Sequence, residues 1–224
     1  ALKAKGVDVL GIDSRLGDGV YDLSAIADDG KWLAFQKTNS TSDSDAYVWN
    51  AGTKAMTLIS KHQGTATNDP AAFDPASRWL YYRTNDGSEF LRVARYELAT
   101  GKSEDVEKAD WDIVSFGFSE GGTYRFTGVN ADGRYTLRLA QAASGKPLAL
   151  PTLPDGSLTG VSFSRSEKRL AFTLNGDRSP SDLYTLTIGQ GGPVRLTTSL
   201  PPDVDAADLV DTQVVRFKSF DGMA

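Results

Sequence analysis

Cysteine is absent from the chain, which excludes disulfides, thiolate metal sites and cysteine nucleophiles. Histidine is nearly absent too. His62 is the one imidazole in 224 residues, and without an acidic cluster at ligand spacing around it in the sequence it cannot make a zinc site. No loop shows the regular acidic spacing of a calcium site, so neither a metal nor a cofactor is expected. Basic clusters are also missing. With 24 basic against 29 acidic residues the net charge is −5, which leaves no electrostatic footprint for nucleic acid or an anionic membrane. No apolar run approaches the roughly 18 residues of a membrane span. The opening "ALKAKGVDVLGID" lacks the hydrophobic region of a signal peptide, so an exported parent would have lost its signal. Helical patterning is scarce as well, because no segment holds a 3.6-residue apolar stripe over three turns.

What the sequence does have is a repeat. "SAIADDGKWLAF", "AAFDPASRWLYY", "FGFSEGGTYRFT" and "VSFSRSEKRLAF" each place a polar turn between two apolar strands. The last apolar residue before each turn is Ile26, Phe73, Phe118 and Phe163, at separations of 47, 45 and 45 residues. Trp32, Trp79, Tyr124 and Arg169 follow the turns at the same spacing. A third alternating strand comes next ("DAYVWN", "LRVARYEL", "YTLRLAQ", "DLYTLTI"), then a glycine turn at Gly52, Gly101, Gly145 or Gly191, then a fourth strand such as "AMTLIS" or "PVRLTT". A unit of about 40 to 45 residues with four short strands is the signature of a β-propeller blade.

The fold expected is therefore all-β, with blades at 22–66, 67–112, 113–157 and 158–200. Partial strands flank them at both ends. Gly6 lies 46 residues before Gly52, so residues 1–21 supply the last strand of a preceding blade and a link. Val214 lies 45 residues after Arg169, where a fifth blade's second strand would fall, within a linker and junction strand at 201–224. A small ring of four to five blades and a segment cut from a larger propeller both fit, and the cut is favoured. An open propeller would expose strand edges that invite self-association.

Several motifs suggest chemistry. Gly117-Phe118-Ser119-Glu120-Gly121 matches the G-x-S-x-G elbow of serine hydrolases, but a strand follows it where the elbow needs a helix. The only histidine precedes Ser119, against the order serine, acid, histidine. Ser119 is accordingly expected to be a turn residue. His62 falls on a link between blades and is assigned a surface or inter-blade hydrogen bond. Asp43 and Asp45 are expected to solvate a hairpin. Thr100 to Glu104, "TGKSE", resembles the end of a phosphate-binding loop but joins two strands, which makes it a turn. Trp32, Trp49, Trp79, Trp111, Tyr81 and Tyr82 are expected to pack between blades. Asn39-Ser40-Thr41 is a sequon only in a glycosylating host. No catalytic or metal-ligating residue is assigned, and no substrate-binding residue is identified.

The units "IADDGKWLAF" and "FDPASRWLYY", followed by "DAYVWNAGTK" or "ARYELATGK", resemble the propeller of the prolyl oligopeptidase family of serine peptidases, of the dipeptidyl and acylaminoacyl peptidase kind. Repeats of this type are also similar to Tol-type periplasmic propellers. The ending "VVRFKSFDGM", Val214 to Met223, resembles the junction strand where that family passes from propeller to α/β-hydrolase domain. The resemblance implies a propeller that gates and selects peptide substrates for a catalytic domain following Ala224. Serine, acid and histidine would all lie in that domain, so this chain alone is expected to be inactive, in a periplasmic or otherwise exported setting rather than the cytoplasm. The alternatives are a stand-alone envelope scaffold and a propeller with its own central pocket. The last would need clustered acids on the first strands, and those strands are nearly free of them.

Overall fold

The structure, a computed structural model, describes residues 19–220 and 222. Sixteen strands form four antiparallel sheets, each in simple up-and-down order. The first contains β1 (Val20–Ile26), β2 (Trp32–Ser40), β3 (Asp43–Asn50) and β4 (Met56–Leu58). β5 (Asn68–Phe73), β6 (Trp79–Thr84), β7 (Arg92–Glu97) and β8 (Ser103–Glu107) form the second. The third is built from β9 (Ile113–Phe118), β10 (Tyr124–Ala131), β11 (Arg134–Gln141) and β12 (Pro147–Leu148). β13 (Ser157–Phe163), β14 (Arg169–Gly176), β15 (Ser179–Thr187) and β16 (Gln190–Arg195) complete the fourth. No α-helix occurs among the described residues, and a single 3-10 turn spans Ala206–Asp208.

Period-two alternation gives each central strand two apolar faces, so each sheet can stack on both sides. In β2, Leu33 and Phe35 join Trp49 on one face, while Ala34 joins Val48 on the other. That second face meets Phe73 and Leu80 of the second sheet. Tyr81 and Val93 of the second sheet meet Ile113, Phe116 and Val129 of the third. Leu137 of the third packs with Leu158, Leu170, Phe172 and Leu186 of the fourth. Burying each such leucine or phenylalanine contributes about 1.5 to 3 kcal/mol. In all four sheets the register shifts once between the first and second strands, as between Leu23 and Ala25 or Pro70 and Ala72. Such bulges increase local twist.

Packing joins consecutive sheets, β5 against β1 and β3, β9 against β5 and β7, and β13 against β11. Among the described residues no packing of similar extent closes the fourth sheet onto the first. The expected strand at "GVDVLGI" lies outside the described residues. At the other end, residues 209–219 join no sheet, so Val214 is not the second strand of a fifth blade. A strand needs a neighbour for its backbone groups, and this run is paired with none.

Candidate functional site

The turn holding Ser119 shows why the elbow motif arises without its chemistry. The Ser119 amide donates to the Tyr124 carbonyl at 2.9 Å, and its hydroxyl accepts from the Tyr124 amide at 2.9 Å. The same position locks two of the other three turns. Asp74 Oδ1 accepts from the amides of Arg78 and Trp79 at 2.6 and 2.7 Å, and Ser164 Oγ accepts from Arg169 at 3.1 Å. Ser119 is buried and aims at its own backbone, so its oxygen is spent on the fold. The two glycines after it are set by the neighbouring sheets. A Cβ on Gly121 would stand 2.9 Å from the Glu167 carboxyl, and one on Gly122 would stand 2.5 Å from Pro75. Glu167 reaches across to accept from the Gly121 amide at 2.9 Å. Burial works against its charge, but hydrogen bonds from Thr123 and the Gly121 amide outweigh that and hold the carboxyl below its ordinary value.

His62 sits in the link from β4 to β5 with its side chain almost wholly buried. Nε2 lies 2.9 Å from Asp43 Oδ1 and Nδ1 lies 2.9 Å from the Ser60 carbonyl. Asp45 Oδ1 approaches Nδ1 at 3.7 Å. Both ring nitrogens therefore face acceptors, which favours the imidazolium. The Ser60 carbonyl raises the His62 pKa most, burial pulls it down, and Asp43 and Asp45 raise it further, for a net rise. The Ala66 amide and then His62 hold Asp43 low. Asp43 and Asp45 thus do not merely solvate a hairpin; they are partly buried partners of the imidazole. Asn68 completes the cluster, donating to the Ser44 carbonyl at 2.9 Å and accepting from Thr84 Oγ1 at 2.7 Å. The result ties the β2–β3 hairpin to the start of the second sheet. It offers no nucleophile, because Ser44 Oγ donates to the Asn68 carbonyl at 3.1 Å.

The remaining candidates are distributed rather than gathered. "TGKSE" is the β7–β8 turn, with Gly101 at φ +74° and its amide donating to Glu97 at 2.8 Å. Asn39 is exposed near the end of β2 and donates to Asp45 Oδ2 at 3.0 Å. Trp49, Tyr81 and Tyr82 are buried, and Trp32 and Trp79 are partly buried in the packing between sheets. Trp111 departs from the packing role. It is 37% exposed, and with Phe90 beside it it forms one wall of a cleft.

That cleft is made by the segment after the fourth sheet, which crosses the β14–β15 and β10–β11 hairpins. Arg178 pairs with Asp211 at 2.9 Å, Asp177 accepts from the Thr212 amide at 2.9 Å, and Arg216 pairs with Asp132 at 2.7 Å. Trp111, Asp132, Val214, Val215 and Phe217 line about 550 Å³ beneath it. Val214, Val215, Phe217 and Phe220 remain largely exposed. Sequence reasoning did not single out these anchors. The available signal was that Asp132 and Asp177 stand one repeat, 45 residues, apart at hairpin tips.

No family model matches the chain, and no curated protein matches it. Solved structures do. Prolyl oligopeptidase B from Galerina marginata, bound to a 35-residue hydrolysis and macrocyclisation substrate, superposes with a TM-score of 0.71 at 18% identity. The match covers 91% of this chain and 30% of that one. The fold is that of a β-propeller. One of two prolyl endopeptidases studied for inter-domain dynamics gives 0.66 at 20% identity over 84% of this chain and 28% of that one. TolB from Acinetobacter baumannii gives 0.59 at 15% identity over 80% and 44%. The chain spans less than half the length of each of these propeller-containing proteins. With four blades and no packing of similar extent between the fourth sheet and the first among the described residues, the structure is consistent with a propeller fragment.

Proposed function

We propose that this chain is the non-catalytic propeller portion of a serine peptidase of the prolyl oligopeptidase family, gating and selecting peptides for an α/β-hydrolase domain elsewhere in the same polypeptide. The observation that carries the reading is the 91% coverage by a prolyl oligopeptidase propeller. The run Val214 to Phe220 supports it: a salt-bridged segment leaves the last blade with four large apolar side chains uncovered, as a passage into a further domain would require. In this reading the propeller restricts access, and Ser119 and His62 take no part in catalysis.

The test compares the 224-residue chain with the full polypeptide encoded by its reading frame, using a chromogenic proline-containing peptide. The full polypeptide should hydrolyse it and the chain alone should not. The downstream sequence should hold a G-x-S-x-G elbow between a strand and a helix, then an acid and a histidine. A stop codon directly after Ala224, or activity in the chain alone, overturns the proposal. The likeness to TolB over 80% of the chain favours a second reading, a stand-alone envelope scaffold. That reading requires no downstream catalytic domain and recovery of a specific partner in pull-downs.

A further inference from the structure

The repeat places the same residue in the same pocket of three sheets and a different one in the fourth. Leu33, Leu80 and Leu170 are the second residues of β2, β6 and β14, and all three are fully buried. Their partners across the next strand are Trp49, Tyr96 and Leu186. In the third sheet the corresponding pair is Arg125 and Ala140. A cation and a methyl group stand where the other sheets pack two bulky apolar side chains, and the adjoining strand β12 is only two residues long. Beside this pair, at the sheet edge that the short β12 leaves open, is a cavity of about 430 Å³, lined by Arg125, Arg138 and Glu107 and by Leu137, Leu148 and Leu150 among its apolar walls.

The charges in this cavity do not cancel. Glu107 accepts from Thr127 Oγ1 at 2.9 Å and pairs with Arg138 at 3.3 Å. Among the described residues no hydrogen bond or ion pair reaches the Arg125 guanidinium, and its Nε is buried without a partner. A guanidinium lacking a counter-ion, with one of its nitrogens sealed from solvent, is unfavourable for the fold. Gly145 keeps the approach open, since a Cβ there would stand 3.2 Å from an Arg125 terminal nitrogen.

We propose that this cavity binds a carboxylate bearing a short apolar tail, with the carboxylate forked onto Arg125 and the tail against Leu137, Leu148 and Leu150. The guanidinium fork matches a carboxylate in two parallel hydrogen bonds. One uncompensated positive charge suits a monoanion better than a phosphate dianion, and the aliphatic walls suit a tail. The volume falls within the usual range for small-ligand sites. Two sources share this chemistry, a free aliphatic acid and the C-terminus of a peptide ending in an aliphatic residue. The proposal is independent of the peptidase reading.

The test is calorimetric titration of the 224-residue chain with hexanoate, with hexanol as control. Hexanoate should bind saturably and hexanol should not. Arg125→Leu, which restores the residue of the other sheets, should weaken hexanoate at least tenfold while the melting temperature holds or rises. Ala140→Leu should do the same by filling the cavity with the charge intact. Acetyl-Gly-Leu as free acid and as amide separates the sources: tighter binding of the free-acid peptide than of hexanoate points to a chain terminus, and the reverse to a free acid. Absence of saturable hexanoate binding, equal binding of hexanol, or undiminished binding by folded Arg125→Leu overturns the proposal.

Discussion

Replacing Ser119 with alanine separates the turn reading from the nucleophile reading. The substitution removes one good hydrogen bond, Tyr124 N–H to Oγ at 2.9 Å, and a longer one from Oγ to the Tyr124 carbonyl at 3.3 Å. The backbone bond from Ser119 to Tyr124 at 2.9 Å remains. It is the counterpart of the 3.0 Å bond from Ala27 to Trp32, which forms in the first sheet without any hydroxyl. One net hydrogen bond contributes about 1 kcal/mol, rising towards about 2 if the buried amide stays unpartnered. For a domain of this size, about 1 kcal/mol lowers Tm by roughly 2 to 4 °C. Asp74→Ala should cost more, about 2 to 3 kcal/mol, because its carboxylate holds two amides at 2.6 and 2.7 Å. Urea titrations followed by tryptophan fluorescence measure both, and peptide hydrolysis by the full polypeptide supplies the functional arm. Ser119→Ala should leave hydrolysis intact. Loss of hydrolysis by orders of magnitude at an unchanged Tm, or a smaller cost for Asp74→Ala than for Ser119→Ala, refutes the reasoning.

Stability should also depend on His62. Its folded pKa is raised above the unfolded value of about 6.5, so its contribution is fully present below pH 6.5 and is lost as pH rises through the folded value. Urea midpoints should fall on going from pH 6 to above neutrality, and His62→Gln should flatten that slope. Gly156 has φ +144°, and a Cβ there would stand 2.6 Å from the Asn175 carbonyl oxygen. Gly156→Ala should therefore cost about 2 kcal/mol by thermal melt, since neither backbone can yield cheaply. Removing the carboxylates that anchor the final segment, Asp132→Ala with Asp177→Ala, should speed limited proteolysis between residues 211 and 220 several-fold while leaving Tm within about 2 °C. These pairs are exposed, and exposed pairs contribute little to global stability.

The blades were legible because they rest on local signals that repeat: alternating apolar residues, polar turns and glycines requiring positive φ. Phe73 and Phe118 stand in register in the sequence and do so again at the ends of β5 and β9. What was not legible depends on contacts distant in sequence. Asp43 and Asp45 look like ordinary hairpin acids until the chain brings His62 back beside them, 19 residues on. Trp111 sits among core-forming aromatics in composition, yet only the return of Val214 to Phe217 shows that it faces a cleft. Val214 has the right spacing for a strand, but spacing cannot supply the neighbouring edge that a strand needs.

A repeat is also an internal control on chemistry. Four copies of one backbone environment hold different side chains, so a departure at one copy is measured against three others under nearly the same geometry. At the turn position Ala27, Asp74, Ser119 and Ser164 differ, yet every copy keeps the same backbone bond across the turn; the variation needs no function, and the serine of "GFSEG" falls within it. At the second position of the second strand the outcome is opposite. Three copies are fully buried leucines, the fourth is a cation with a buried and unpartnered nitrogen, and no compensating acid accompanies the change. The motif that looks catalytic is thus explained by its siblings, while Arg125, which belongs to no motif and lies six residues beyond Ser119, is not. Within this fold the residue that demands a ligand is the one the repeat fails to account for.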